Sequence, residues 1–150
     1  MKSERNKRNG DWLMRIIDAS DCIVGRLASS VAKGLLNGDQ IHVINAEMAV
    51  FSGTKEMVFG EYIGKRKLNH PRKGPYYPRM PHLMLKRAVR GMIPYQKPRG
   101  REAFKRLKVD VGKPASVGNE KVEMVDGAKM NNYSKYVTLG EVSKVLGAKF

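Results

Sequence analysis

The 150-residue sequence has a single cysteine, Cys22, so it cannot form an internal disulfide. Its apolar runs are only a few residues long, far short of the ~20 residues that a membrane-spanning helix needs. No basic, apolar and small-residue segment of the signal-peptide type opens the chain. These absences predict a protein of the reducing cytoplasm that has no membrane partner.

Residues that could hold a cofactor or a metal ion are also scarce. The histidines are scattered along the chain at His42, His70 and His82. Cys22 has no second ligand at a zinc-binding spacing. No G-x-x-x-x-G-K-[ST] motif occurs, and Gly25 stands alone where a dinucleotide fingerprint needs three glycines. The sequence therefore predicts no metal, no cofactor and no small-molecule substrate.

Carboxylates near strand ends are the main argument for an enzyme. Asp18, Asp21 and Glu47 could approach one another there, where open α/β sheets place catalytic carboxylates. Caps and turns are the commoner use of such residues. We therefore predict a non-catalytic protein, with an RNA-acting or nucleotide-using α/β enzyme as the alternative.

Acidic residues are few, and this imbalance is the most informative property of the composition. The chain has 29 Lys and Arg against 14 Asp and Glu, a net charge of +15. Residues 55–108 hold 16 of the basic residues and only 3 of the acidic ones. A surface charged only for solubility would intersperse both signs. The concentration of positive charge predicts a polyanionic partner.

The first half of the chain predicts a parallel α/β sheet. Apolar runs at 15–19 and 41–46 are typical of buried strands. Between them, apolar residues recur at the spacing of one helix face: Val24, Leu27, Ala28, Val31, Ala32 and Leu35. Asn37 and Gly38 are predicted to end this helix. A strand, a helix and a second strand in this order predict a crossover between parallel strands.

Two further helices are predicted in the middle of the chain. After a short strand or turn at 49–53, Ser52 is placed to cap a helix over roughly 54–65. Pro81 suits the first turn of the next helix, which ends before Pro94. Its predicted apolar face consists of Leu85, Ala88, Val89 and Met92.

A short helix at about 100–107 leads to a strand at 108–112 in which Val109 and Val111 point inward. The residues that this helix is predicted to bury are Ala103, Phe104 and Leu107. The polar stretch 113–136, rich in Gly, Ser and Asn, is predicted to be a surface excursion.

Thr138 and Glu141 have the spacing of a capping box, which predicts a C-terminal helix over 138–147. The apolar stripe of this helix is predicted to be Val142, Val145 and Leu146. Residues 1–13 are polar and aperiodic and predict a disordered arm that could order on a phosphate surface. The rest, 14–150, is predicted to be a single RNA-binding domain.

Residues 65–108 carry their charge in a form suited to RNA. Helical periodicity disappears between 65 and 81, and a long loop in a compact domain is usually functional. Arginine pairs with phosphate and stacks on bases. Tyr76, Tyr77 and Tyr95 could offer flat faces to bases, or pack at the edge of the core. The residues of this loop predicted to bind RNA are Lys65, Arg66, Lys67, Arg72, Lys73, Tyr76, Tyr77 and Arg79.

Four stretches are similar to those of a known family: VGRLAS at 24–29, VINAE at 43–47, AVRGMIP at 88–94 and GREAFKRLKVDVG at 100–112. Over roughly 14–112 the sequence resembles the L-thirteen family of large-ribosomal-subunit proteins, in its archaeal form. The resemblance implies a three-layer α/β/α domain around a central four-stranded parallel sheet. Basic loop and helical excursions are added to that core.

The resemblance also implies a role. A member of this family is expected to be a structural constituent of the large ribosomal subunit, in the cytoplasm, beside neighbouring ribosomal proteins. It is expected to bind ribosomal RNA early and to stabilise the RNA fold during assembly. A regulatory messenger-RNA binder outside the ribosome is the remaining alternative.

Carried onto this sequence, the family's RNA-facing region corresponds to Lys86, Arg87, Arg90, Lys97, Arg99, Arg101, Lys105 and Arg106. The first three of these also share the helix side opposite to its apolar face. Gly91 and Gly100 are expected to allow a close backbone approach. The chain departs from the family pattern at Asp110, where relatives often have an aromatic residue, so no RNA contact is assigned there.

Overall fold

A computed structural model describes residues 7–8, 11–12, 14–68, 70–131 and 135–150. Its strands are β1 (Lys7–Arg8), β2 (Asp11–Trp12), β3 (Met14–Asp18), β4 (Gln40–Ile44), β5 (Val50–Ser52), β6 (Leu107–Val109), β7 (Val122–Glu123) and β8 (Tyr136–Thr138). Its α-helices are α1 (Val24–Leu36), α2 (Lys55–Lys67), α3 (Pro81–Gly91), α4 (Pro98–Lys105) and α5 (Leu139–Val145). Short 3-10 helices lie at Ala46–Met48, Ala115–Val117 and Asp126–Ala128.

The central sheet has four parallel strands in the order β6-β4-β3-β7. β3 pairs with β4 so that Ile17 lies opposite Val43, and β4 pairs with β6 so that Ile41 lies opposite Leu107. Helices flank the sheet. The α/β class and the four-stranded parallel sheet are therefore confirmed.

One face of the sheet supports most of the core. Ile17, Ile41 and Val43 belong to the same buried cluster as the apolar residues of α1 and α3. All six residues predicted to form the buried face of α1 are buried. Asn37 caps this helix and Gly38 follows with φ +103°, a left-handed conformation that favours glycine. The helix and its end are as predicted.

The opposite face of the sheet is covered differently. Ile16 and Ile44 form a smaller buried cluster with Val117 of the 3-10 helix at Ala115–Val117. His42 is buried, and its register partner in β3 is Ile16. His42 Nε2 lies 2.6 Å from a carboxylate oxygen of Asp110. Asp110 is thus engaged inside the protein, at the position where the family pattern was not followed.

Residues 113–136 differ from the predicted surface excursion, because they contribute to the core. β7 pairs with β3 in parallel and completes the sheet. Val117 and Ala128 are fully buried. Residues 132–134 lie outside the described part of the chain, as does most of the predicted arm 1–13, of which β1 and β2 form a short antiparallel pair.

A second, two-stranded sheet joins the middle of the chain to its C-terminal part. β5 pairs antiparallel with β8, with Phe51 opposite Val137. The predicted capping box at α5 is confirmed, since the Thr138 side chain accepts from the Glu141 amide and the Glu141 side chain accepts from the Thr138 amide. Val142 of α5 is buried, but Val145 is 46% exposed, so the predicted stripe is wrong at Val145.

Three other local predictions need correction. The cap of α2 is Thr54, whose Oγ1 accepts from the Met57 amide, and not Ser52. The buried face of α3 includes Met84, whereas Met92 follows the helix and is 46% exposed. The strand predicted at 108–112 lies one residue earlier and is shorter, so Val111 falls outside it.

Candidate RNA-binding surface

α3 presents part of the predicted basic surface. Pro81 occupies its first turn, and Met84, Leu85 and Val89 bury one face against the core. Arg90 and the glycine that ends the helix are exposed on the other side. The amphipathic spacing thus fixes which side of α3 faces outward.

A tight turn connects α3 to α4. Ile93 is buried in this turn, and Gly100 in the first turn of α4 lies against the backbone of Pro94. A Cβ at Gly100 would lie 2.0 Å from the Pro94 carbonyl oxygen, whereas a Cβ at Gly91 would meet nothing within 4 Å. Gly100 therefore allows a close approach within the protein, and Gly91 leaves open space at the surface.

Aromatic rings hold cations of α3 in place beside this turn. The Arg90 guanidinium lies over the Tyr95 ring, 4.1 Å from its centroid. Tyr95 meets Phe104 edge to face, with centroids 5.5 Å apart. Lys86 Nζ lies 5.3 Å from the Phe104 centroid. Such contacts contribute roughly 0.5–1 kcal/mol each at exposed sites, and here they restrict the positions of the two charged groups.

Two predicted cations anchor the loop between α2 and α3. Arg66 donates to the Tyr77 carbonyl at 2.9 Å, and Arg87 donates to the Tyr76 carbonyl at 2.8 Å. The Arg87 guanidinium also lies over the Tyr77 ring. These contacts attach the loop to both helices that flank it.

The two loop tyrosines have different environments. Tyr77 is half-buried and its ring packs on that of Tyr62, which in turn packs on Phe51. Burial, and then the neighbouring Tyr77, raise the pKa of Tyr62, so its hydroxyl stays protonated. Lys65 Nζ lies near the rings of Tyr62 and Tyr77 and pairs with the Glu61 carboxylate. Tyr77 is thus a core-edge aromatic, while Tyr76 is 57% exposed.

Three arginines predicted to face RNA bind backbone carbonyls of the protein. Arg106 donates to Leu35 O at 2.6 Å and Arg99 donates to Leu36 O at 3.4 Å, both in the last turn of α1. Arg101 donates to Gln96 O at 3.1 Å. Arg106 is only partly exposed and its Nε is buried. Positive charge at the C-terminal end of α1 also complements the helix dipole.

The remaining predicted cations have exposed side chains: Lys67, Arg72, Lys73, Arg79, Lys97 and Lys105. Within residues 65–108, as far as the structure describes them, carboxylate partners occur only at Lys65 and Lys108. The surface therefore combines oriented arginines with exposed, uncompensated charge. That combination attracts phosphate strongly and in a salt-dependent way.

Gly91 lies beside an open groove of about 540 Å³ that the sequence did not reveal. Arg87 and Arg90 line it from α3, and Ile93, Pro94 and Gln96 line it from the turn. The signal in the sequence was the short Pro-bounded stretch between two basic helices. It could not show that the turn folds back toward the end of α3.

Two of the three carboxylates of the alternative enzyme hypothesis, those of Asp18 and Glu47, accept hydrogen bonds within turns. Asp18 accepts from the Ser20 amide and hydroxyl and from Asn45. Glu47 accepts from the Gly112 amide at 2.9 Å. In the described residues, no group of three or more His, Cys, Asp or Glu side chains could hold a metal ion. Nor does any helix there have both the length and the apolarity to cross a bilayer.

The Asp18 turn gives a pH-dependent prediction. Burial raises the pKa of Asp18, but the hydrogen bonds from Ser20 and Asn45 outweigh it and lower the pKa below 3.8. The charged form is therefore favoured by folding, and its stabilisation is lost as the pH falls below that value. We expect Asp18→Asn to lower the free energy of unfolding by about 1 kcal/mol at pH 7.

Urea unfolding at pH 7 and below pH 3 measures this difference. The difference between wild type and Asp18→Asn should shrink on acidification. Asp126→Asn, at an exposed aspartate, serves as the control and should change stability little at either pH. A difference that stays constant across this range would contradict the role given to the Asp18 carboxylate.

Together these features define a basic α/β protein with an oriented cationic surface. The family described as Ribosomal protein L13 matches residues 12–116. The chain is 50% identical to the large ribosomal subunit protein uL13 of Methanococcoides burtonii, over 91% of this chain and 100% of that protein. It is 48% identical to uL13 of Methanocaldococcus jannaschii, with the same coverage.

A third relative is uL13 of Archaeoglobus fulgidus, 48% identical over 88% of this chain and 86% of that protein. The chain belongs to the ribosomal protein L13 family. This confirms the resemblance on which part of the sequence prediction rested. Membership also assigns the chain to the ribosomal proteins and not to the nucleotide-using α/β enzymes.

Proposed function

We propose that this protein is a structural component of the large ribosomal subunit that binds ribosomal RNA through residues 65–108. The names of its relatives support the assignment to the large subunit. The observation that supports an RNA partner is the surface of exposed cations. Among the described residues, few of these cations pair with a carboxylate. In this proposal residues 14–150 act as one RNA-binding domain of the cytoplasmic ribosome, beside neighbouring large-subunit proteins.

The chemistry of the surface favours recognition of phosphate and shape over reading of base sequence. Lysine and arginine side chains that contact phosphates fix position and orientation but carry no sequence information. The arginines anchored on Tyr76, Tyr77 and Tyr95 lose less freedom when they bind. A rigid cationic surface of this kind holds RNA helices together, as is expected of a protein that binds early and stabilises the RNA fold during assembly.

In this proposal the exposed cations that have no protein partner in the structure described above have a different role from the arginines that donate to backbone carbonyls. We assign direct phosphate contacts to the exposed set described above, with Arg87 and Arg90 positioned by aromatic rings. Arg99, Arg101 and Arg106 support the surface by holding α4 and its turn against α1. Tyr76 keeps an exposed ring for a base or ribose.

The test replaces three exposed cations, Arg79, Lys97 and Lys105, with glutamine. We expect affinity for large-subunit ribosomal RNA to fall at least tenfold at low salt. The slope of log affinity against log salt should fall by about 1 for each phosphate that is no longer neutralised. Filter binding over a range of salt concentrations measures both quantities.

The matched control makes the same change in charge outside residues 65–108, at Lys121, Lys129 and Lys149. These lysines are also exposed, so the net charge changes equally in the two triple variants. The control should retain nearly all affinity, and the wild type should co-sediment with large subunits after a high-salt wash. Equal decreases in affinity in the two variants would mean that the proposed surface is not the binding surface.

A further inference from the structure

The groove between the end of α3 and the turn to α4 has a composition that simple phosphate attraction does not require. Its volume of about 540 Å³ falls within the ~300–1,000 Å³ of small-molecule sites. Arg90 and Lys97 provide positive charge, and Pro94 and Tyr95 provide apolar surface. Among the residues that the structure describes, no acidic one lines it. The occupant should therefore be anionic and partly flat.

We propose that this groove binds a single unpaired nucleotide of the RNA, with its base stacked on the outer face of the Arg90 guanidinium. The inference rests on the proposed function, because it specifies what part of the RNA the surface receives. Unpaired bases stack on arginine planes and aromatic rings in many RNA complexes. An RNA duplex is too wide to enter a groove of this volume.

The arrangement around Arg90 prepares it for stacking. Tyr95 lies under the guanidinium at 4.1 Å and is itself held by Phe104. Arg90 is exposed and lines the groove, so we place the base on the guanidinium face that does not contact Tyr95. A base placed there would complete a stack of Tyr95, Arg90 and base. Because Arg90 is already held flat, less conformational entropy is lost when the base binds.

The rest of the groove fits a sugar and a phosphate. Gly91 has no side chain, and the space where its Cβ would lie is empty to 4 Å, so a ribose can approach the helix end. Lys97 is exposed at the turn and can neutralise a phosphate. A carboxylate peptide would use the charge but not the flat face of Arg90. Charge and shape together therefore favour a nucleotide over an acidic protein segment.

The experiment compares the full chain bound to a short RNA duplex and to the same duplex with one bulged adenosine. A bulged nucleotide costs little to extrude. We expect the wild type to prefer the bulged RNA by about tenfold, in line with base stacking on a side-chain plane. The preference should vary little with salt, whereas both affinities should fall steeply.

Arg90→Lys is the decisive variant, because lysine keeps the charge and loses the plane. It should bind the duplex as the wild type does and lose most of the preference for the bulge. Tyr95→Ala should lose the preference as well. Arg26→Lys, at an exposed position on α1, is the control and should retain it. Thermal melts check that each variant is folded.

The outcomes separate this inference from the proposed function. Equal wild-type affinity for the two RNAs, or a preference that survives in Arg90→Lys, would overturn the nucleotide site and leave RNA binding intact. Failure to bind either of these RNAs and large-subunit ribosomal RNA as well would overturn the proposed function itself. Hexaglutamate serves as an anionic competitor without a base. If it displaces the bulged RNA as readily as it displaces the plain duplex, the groove binds any anion, and the inference is wrong.

Discussion

Gly100→Ala is expected to destabilise the protein by about 3 kcal/mol, the upper range for overpacking a closely packed site. The new Cβ would lie 2.0 Å from the Pro94 carbonyl oxygen and 2.4 Å from its carbon, both of them backbone atoms. A flexible side chain could move aside, but this backbone belongs to the tight turn between α3 and α4. Chemical denaturation of the variant and the wild type measures the difference in stability.

Gly91→Ala is the matched control for that substitution. Gly91 ends α3, and an added Cβ meets nothing within 4 Å. Alanine is favoured over glycine in helices by up to about 1 kcal/mol, so stability should stay the same or rise slightly. RNA affinity should nevertheless fall, because the methyl group narrows the groove. If both variants were equally stable, the contact between Gly100 and Pro94 would not be the constraint proposed.

Arg106→Ala is expected to lower the free energy of unfolding by about 2–3 kcal/mol, typical of losing a hydrogen bond to a charged group. Its guanidinium donates to Leu35 O at 2.6 Å and covers the end of α1. Removal leaves that carbonyl without its charged donor and also removes the packing of the arginine stem. Thermal or urea unfolding measures the effect, and RNA affinity at a temperature where both proteins are folded should change less.

Lys105→Ala separates the role of stabilising the fold from the role of binding RNA, because it removes an exposed cation next to Arg106. Lys105 is exposed, so its removal should change stability by less than about 0.5 kcal/mol. It should weaken RNA binding more than Arg106→Ala does. The reverse pattern, a stable Arg106→Ala with strongly reduced RNA affinity, would return Arg106 to the direct RNA-binding role that the sequence predicted.

Strong local patterns in the sequence predicted the core of the fold correctly. The α1 stripe repeats over three turns, and its burial requires only that the helix pack against a sheet. The Thr138–Glu141 box is complete within four residues and formed as predicted. β7 was missed because Val122–Glu123 is too short for a periodic pattern. Its pairing with β3 depends on residues more than a hundred positions earlier.

The sequence predicted where the positive charge of the candidate site is concentrated, but it did not predict how the charged side chains are arranged. Composition located the excess of cations in one segment, which the structure presents on α3, α4 and the adjoining loops. It could not distinguish Arg106, which binds Leu35 O at a separation of 71 residues, from exposed Lys105. The resemblance placed Gly91 and Gly100 where the backbone comes close in the RNA-facing region, and it did not show that Gly100 lies against the backbone of Pro94.

The late completion of both sheets has a consequence for how the protein is made. β3 pairs with β7 and β5 pairs with β8, so the central sheet lacks its edge strand until residue 123 has left the exit tunnel, and the second sheet lacks β8 until residue 138 has done so. A nascent chain that has emerged as far as Gly112 already contains the cations of residues 65–108, but it still lacks β7 and β8. The strands that complete both sheets thus follow the cationic segment in the chain, and until they pair, the apolar surface that they cover is open to aggregation.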